Sequence, residues 1–190
     1  EAAAIGLEDS PLIAYLKGNL ACMNGNFIAA RNHFDDVLER YDPLHVRARL
    51  NRIATSLALG LHDSAMDDCR ILLEQAPDLT LAKCRMADVK MLIADWTSAK
   101  ELWIEILEVN GNHPHALTQL AACNISLGTP EQAEAPLNKA IRLDPEFAPA
   151  WHNRGLLYLE WAEEEAAIQD FETTIKVDPK HIDARLHLAS

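Results

Sequence analysis

The stretch AWHNRGLLYLEWAEEEAAIQDFETTIKVDP, residues 150–179, decides the fold. It contains two stretches of roughly a dozen residues with apolar side chains at helical spacing, separated by a short break at residues 161–163. In the second stretch Ala167 and Phe171 lie four residues apart and therefore share one helix face. Pro179, which cannot continue a helix, follows. These features predict two helices joined by a short turn.

The same pattern returns along the chain with a period of 34 residues. The residues that close the units fall at this interval: Pro43, Pro77, Gly111, Pro145 and Pro179. An alanine in the second helix of each unit precedes them: Ala30, Ala65, Ala99, Ala133 and Ala167. The first alanine interval is 35, so the first unit carries one extra residue between Leu38 and Pro43. A fixed period of this length predicts an array of similar helix pairs.

A small-then-large pair recurs inside each unit. Four residues after each alanine comes a larger side chain: Phe34, Cys69, Trp103, Leu137 and Phe171. We expect these pairs to form a buried stripe where two helices meet. The turns inside the units are predicted at residues 24–27, 59–62, 94–96, 127–130 and 161–163.

Two helix starts are visible. Ser10-Pro11 and Thr129-Pro130 each place a capping residue before a proline, and Gln132 completes a capping box with Thr129. A helix that begins at Pro130 would have Pro136 in its interior, where it removes a hydrogen bond at a cost of about 3 kcal/mol. The sequence offers no reason for Pro136.

The period, the helix pair and the marker residues together resemble the tetratricopeptide repeat. The signature residues of that family are matched best in the last complete unit, by Trp151, Gly155, Tyr158, Ala167, Phe171 and Pro179. The resemblance implies an all-α fold, an α-solenoid in which antiparallel helix pairs form a right-handed superhelix.

The repeats are assigned to residues 11–45, 46–79, 80–113, 114–147 and 148–181. Residues 1–10 are then an N-terminal flank, the end of a preceding segment, and residues 182–190 begin a sixth unit. Because a solenoid needs a polar cap at its ends, we expect the chain to be a fragment of a longer protein.

Composition excludes several functions. Acidic side chains outnumber basic ones by 29 to 17, which gives a formal net charge of −12. The sequence contains no run of basic residues of the kind that binds nucleic acid. No run of about twenty apolar residues exists, so we expect no membrane insertion. The chain shows no targeting segment, and its four scattered cysteines predict a reducing compartment, the cytoplasm.

The resemblance also implies a groove lined by the first helix of each unit. The candidate partner-binding residues are Tyr15, Asn19, Arg47, Asn51, Arg85, Gln119, His152 and Asn153. Further lining residues are expected to include Leu12, Leu16, Leu81, Cys84, Asp88 and Thr118. The acidic residues of the second helices and turns, at 35–36, 67–68 and 163–165, are expected to lie on solvated faces.

One groove position carries a hydrogen-bonding side chain in four consecutive units: Asn51, Arg85, Gln119 and Asn153. An amide both donates and accepts, so such a row could hold the backbone of an extended partner. The alternative is that these side chains only keep the groove soluble.

A second resemblance, to the carboxylate clamp of heat-shock co-chaperones, concerns the same surface. Asn19, Asn51 and Arg85 match residues of that clamp, but Tyr15 and Leu81 stand where it has lysines. A carboxylate needs charge-assisted hydrogen bonds, so we expect the match to be degenerate or coincidental.

Nothing in the sequence predicts catalysis. There is no GxSxG motif, phosphate-binding loop or dinucleotide fingerprint, and His113-Pro-His115 lacks further ligands nearby, so no cofactor and no metal are expected. We therefore predict a non-enzymatic scaffold or adaptor that binds a protein or peptide. The alternative is the substrate-recognition arm of a larger enzyme. Self-association through the exposed solenoid end is a third hypothesis.

Overall fold

The computed structural model describes residues 10–189, which form α-helices and short turns without a strand. The predicted flank at residues 1–10 lies, apart from Ser10, outside these residues. The chain divides into two compact units between Ile93 and Ala94. The predicted all-α fold is confirmed.

Over its described residues, 10–93, the first unit contains five α-helices: α1 (Pro11–Met23), α2 (Phe27–Asp36), α3 (Val46–Ala58), α4 (His62–Gln75) and α5 (Thr80–Leu92). Consecutive helices pack against each other. The first helix begins as predicted, because the side chain of Ser10 accepts a hydrogen bond from the N–H of Ile13 at 3.2 Å and Pro11 opens the helix.

The extra residue of the first repeat lies in a π-helical turn at Val37–Tyr41, which continues α2. The N–H of Asp42 donates to the carbonyl oxygen of Val37, five residues earlier, at 2.8 Å. Because a π turn holds one residue more than an α turn, the insertion is absorbed at the helix end. Val37 and Leu38 remain buried there.

The second unit, as described from residue 94 to residue 189, contains six α-helices: α6 (Trp96–Val109), α7 (Pro114–Ser126), α8 (Glu134–Leu143), α9 (Ala148–Glu160), α10 (Glu164–Val177) and α11 (Ile182–Ala189). Here too each helix packs against the next. All five turns inside the repeats lie where the sequence predicts them, since α1, α3, α5, α7 and α9 end there.

The predicted helix start at Thr129 is wrong, and the correction explains Pro136. A 3₁₀ turn at Pro130–Gln132 comes first, and α8 begins only at Glu134. Pro136 therefore lies in the first turn of α8, where a missing N–H costs no hydrogen bond. The Thr129 hydroxyl does not cap the helix but donates to the carbonyl oxygen of Asn124 at 3.1 Å.

The predicted stripe is confirmed. All five marker alanines are fully buried, and so are their larger neighbours: Phe34, Cys69, Trp103, Leu137 and Phe171. Close helix approach follows from the small side chains. In the first helices Gly18 and Gly155 play the same part, because a Cβ there would lie 2.5 Å from the ring of Phe34 and 2.7 Å from that of Phe171.

The turns without glycine hold strained alanines. Ala94 and Ala162 have φ values of 59° and 58°, close to the 71° of Gly25 and Gly60 in the equivalent turns. A left-handed conformation costs an L-residue about 1–2 kcal/mol.

Ala162→Gly is therefore expected to raise the free energy of unfolding by about 0.5–1 kcal/mol, since relief of the strain exceeds the extra entropy of glycine in the unfolded chain. Urea denaturation followed by circular dichroism measures the change. The matched control is Ala166→Gly inside α10, which should lose about 1 kcal/mol. A loss in both variants would contradict the argument.

Candidate functional site

In the first unit, three predicted binding residues lie together. The side-chain N–H of Asn51 on α3 donates to Asn19 Oδ1 at 2.7 Å and to the hydroxyl of Tyr15 at 3.4 Å, both on α1. The Tyr15 ring packs against Phe34 and His45, with centroid separations of 6.1 and 5.3 Å. We call Tyr15, Asn19 and Asn51 the amide cluster. It joins the first helices of two consecutive repeats.

The two arginines predicted for the same surface differ in their environments. Arg47 is exposed near the start of α3. Arg85 on α5 is half-exposed, and its guanidinium lies 3.4 Å from the carboxylate of Asp88. The charge of Arg85 is thus partly neutralised within its own helix.

Not every expected lining residue is accessible. Cys84 and Thr118 are buried, so they do not line an open surface. Cys69 and Cys123 are buried as well, and burial raises the pKa of the Cys69 thiol to about 12 and that of Cys123 to about 11. These thiols stay protonated near neutral pH and serve as packing groups.

In the second unit, Gln119 lies half-buried on α7, and His152 and Asn153 lie half-buried on α9. The His152 ring packs against Phe171 and two further histidines, His181 and His187. His152 is therefore part of a packed aromatic group.

A buried charge network was not predicted. Asp68 on α4 accepts hydrogen bonds from Arg49 at 2.7 Å and from Arg52 at 2.6 and 2.8 Å. Arg52 also reaches Asp35 of the preceding repeat at 2.7 Å. Burial opposes the charge of Arg52, but its hydrogen bonds to the two carboxylates outweigh burial and raise its pKa. The network links two repeats.

The expectation that residues 67–68 lie on a solvated face is therefore half wrong. Asp67 is exposed, but Asp68 is only 2% exposed. Asp35 and Asp36 are half-buried, whereas Glu163, Glu164 and Glu165 are exposed as predicted. The error arose because adjacent residues on a helix point about 100° apart, so one faces inward while its neighbour faces solvent.

The same network recurs in the second unit. Arg154 donates to Asp170 at 2.7 and 2.8 Å and to Asn138 of the preceding repeat at 2.6 Å. Its guanidinium also lies over the rings of Trp151 and Tyr158, 4.9 and 5.6 Å from their centroids. The separation of 16 residues between Arg and Asp is the same in both networks. That repeated spacing is the sequence signal that would have revealed them.

The histidine pair considered for metal binding has other contacts. His113 Nδ1 accepts a hydrogen bond from the N–H of Ala116 and caps α7, and His115 packs edge-on against Trp103 at 5.4 Å. Within residues 10–189 no three His, Cys, Asp or Glu side chains are grouped so as to hold a metal ion. Over the same range, none of the helices has both the length and the apolar character to cross a bilayer.

Comparison with solved structures identifies the fold. A thermophilic TPR protein of Thermus thermophilus is 19% identical with a TM-score of 0.80, and the match covers 95% of this chain and 97% of that one. A tetratricopeptide repeat protein from Parabacteroides merdae is 18% identical with a TM-score of 0.82, covering 97% and 72%. YrrB, described as a TPR protein with an unusual peptide-binding site, is 18% identical with a TM-score of 0.65, covering 97% and 94%. These likenesses show an α-solenoid fold.

Comparison of sequences leads to the same family. No curated protein sequence matches the chain. Three models described as tetratricopeptide repeat match residues 15–79, 114–147 and 137–169. The chain belongs to the tetratricopeptide repeat family.

Proposed function

We propose that this chain is a protein-interaction module, a scaffold or adaptor that holds an extended segment of a partner on the first helices of its first unit. Membership of the tetratricopeptide repeat family supports a protein or peptide partner. The amide cluster on α1 and α3 is the observation that carries the finer proposal.

The cluster has hydrogen-bonding capacity to spare. The bonds within it use the side-chain N–H groups of Asn51 and the carbonyl oxygen of Asn19. The carbonyl oxygen of Asn51 and the N–H groups of Asn19 then serve an extended backbone, which offers alternating donors and acceptors. Because the two amides hold each other in place, less side-chain entropy is lost when a partner binds.

Apolar side chains accompany the cluster. Leu12 and Leu16 lie on the same face of α1 as Tyr15 and Asn19, at positions three and four residues apart. The two leucines are 64% and 53% exposed. A partner whose backbone lies on the amides would bury its own apolar side chains against them. The partner we propose is therefore an extended, largely apolar segment.

Charge contributes little on this surface. Arg47 is exposed, but Arg85 is paired with Asp88. A nearly neutral surface predicts weak salt dependence of binding, unlike a clamp built on several cations.

The double variant Asn19→Ala with Asn51→Ala tests the proposal. A peptide selected on the full 190-residue chain from a displayed library serves as the probe, and fluorescence anisotropy measures its affinity. Each lost hydrogen bond contributes about 0.5–1.5 kcal/mol, so affinity should fall by about five- to a hundredfold. Stability should change little, because both partners of the internal hydrogen bond are removed together.

Asn32→Ala is the matched control, since Asn32 is an exposed asparagine on the second helix α2. It should leave the affinity unchanged. Normal binding by the double variant, combined with weakened binding by Asn32→Ala, would place the partner on the opposite helices and refute the proposal.

A further inference from the structure

Three imidazoles and one phenyl ring lie together where α11 packs against the preceding helices of the second unit. The His152 ring lies 4.5 Å from that of His181 and 5.9 Å from that of His187, measured between centroids. His187 stacks on Phe171 at 4.9 Å and an interplanar angle of 13°, and His152 lies 5.7 Å from Phe171. We call these four residues the histidine cluster.

The docked arrangement uses one ring nitrogen of His181 as a hydrogen-bond acceptor. His181 Nδ1 accepts a hydrogen bond from the N–H of Ala184 at 3.2 Å, which only an unprotonated nitrogen can do. That bond caps the first turn of α11, where a positive charge would oppose the helix dipole. The same turn places Ala184, fully buried, against Ala167 and Phe171. The hydrogen bond that His181 accepts thus positions Ala184, the residue through which α11 docks.

His152, on α9, is the member of the histidine cluster that α11 covers. Its Nε2 is buried and has no hydrogen-bond partner among the described residues. Burial lowers the pKa of His152, and the neighbouring His181 and His187 lower it further. The groups that face His152 are His181, His187 and Asp183 on α11, Asn153 on α9 and the uncharged Phe171 ring on α10. Asn153 and the charge of Asp183 oppose the shift without reversing it.

We propose that the histidine cluster makes the docking of α11 on α9 and α10 depend on pH, so that acidification releases α11 and exposes the apolar face around Phe171. Once α11 is released, the His152 imidazole returns to water and binds a proton more readily than in the docked state. Docking is therefore complete above the ordinary histidine pKa of about 6.5 and weakens as the pH falls through that value. Phe171 is 1% exposed while α11 is docked. Release of α11 opens the Phe171 ring to solvent or to a partner.

Amide hydrogen exchange of the full chain, measured at about pH 7.5 and at about pH 5, tests the proposal. A metal chelator is present at both pH values, and each exchange rate is corrected for the intrinsic effect of pH on amide exchange. Protection of the α11 amides should fall by about tenfold or more at the lower pH, while α9 and α7 keep theirs. In the double variant His181→Asn with His187→Gln the cap remains, since asparagine accepts the same hydrogen bond, and the fall should be smaller than in the parent, because only burial still opposes the charge of His152.

His113→Asn is the matched control, because His113 caps α7 through the same bond and is not among the groups that act on His152. It should keep the parental response. If the double variant loses α11 docking already at the higher pH, His152→Gln alone should still remove most of the pH response. Protection of α11 that does not change with pH in the parent, or that falls equally in the parent and in His152→Gln, would overturn the proposal.

Discussion

Asp68→Ala is expected to lower the free energy of unfolding by about 3–5 kcal/mol. The carboxylate of Asp68 accepts hydrogen bonds from Arg49 and Arg52, and all three side chains are largely or fully buried. Removing the carboxylate leaves Arg49 without its acidic partner in the interior, while Arg52 keeps only Asp35. An unpaired buried charge costs more than the pair ever contributes. Urea denaturation monitored by circular dichroism measures the loss.

The adjacent residue provides the control. Asp67 is exposed and pairs with Arg70 at 2.8 Å, where both side chains are more than half exposed. Because solvent screens such a pair, Asp67→Ala should change stability by less than about 0.5 kcal/mol. Equal losses in the two variants would mean that Asp68 does not hold the two repeats together.

These two aspartates show how far the sequence alone leads. The alanine period places the second helices and identifies which alanines and aromatic rings are buried, because close helix packing needs small residues at fixed positions. It does not identify the inward-facing member of an acidic pair, since an aspartate is buried only where a specific arginine meets it. The separation of 16 residues from Arg52 to Asp68, repeated from Arg154 to Asp170, is visible only after the repeats are aligned.

For the candidate site, too, the sequence predicts the positions of residues on helices but not their side-chain contacts. The spacing predicts that Asn19 and Asn51 lie on first helices, but not that their amides bond to each other, because rotamers decide that contact. The pairing of Arg85 with Asp88 was not predicted either, although residues three apart on one helix are neighbours. The environment of His152 is set by two histidines of α11, and no local sequence pattern shows where α11 lies.

Phe171→Ala is the second substitution with a large expected effect, because it should lower the free energy of unfolding by about 3–5 kcal/mol. The ring is 1% exposed and packs with Ala167 and Ala184. Its removal leaves a cavity that the surrounding helices fill only in part. Phe27→Ala, which removes a ring that is 37% exposed, should cost much less. Comparable losses would indicate that the core of the last repeat collapses freely around the missing ring.

The same ring decides the effect of a change at Gly155. In the parent a Cβ at this position would lie 2.7 Å from a carbon of the Phe171 ring. Gly155→Ala should therefore lower the free energy of unfolding by about 1–2 kcal/mol, even though alanine has the higher helix propensity. In the Phe171→Ala background the clash is gone and only the gain of about 1 kcal/mol remains, so the effect should change sign. Gly111→Ala, whose Cβ would meet no atom closer than 3.5 Å, should be nearly neutral in both backgrounds. An unchanged sign for Gly155→Ala would show that the contact between glycine and phenylalanine does not set the spacing of α9 and α10.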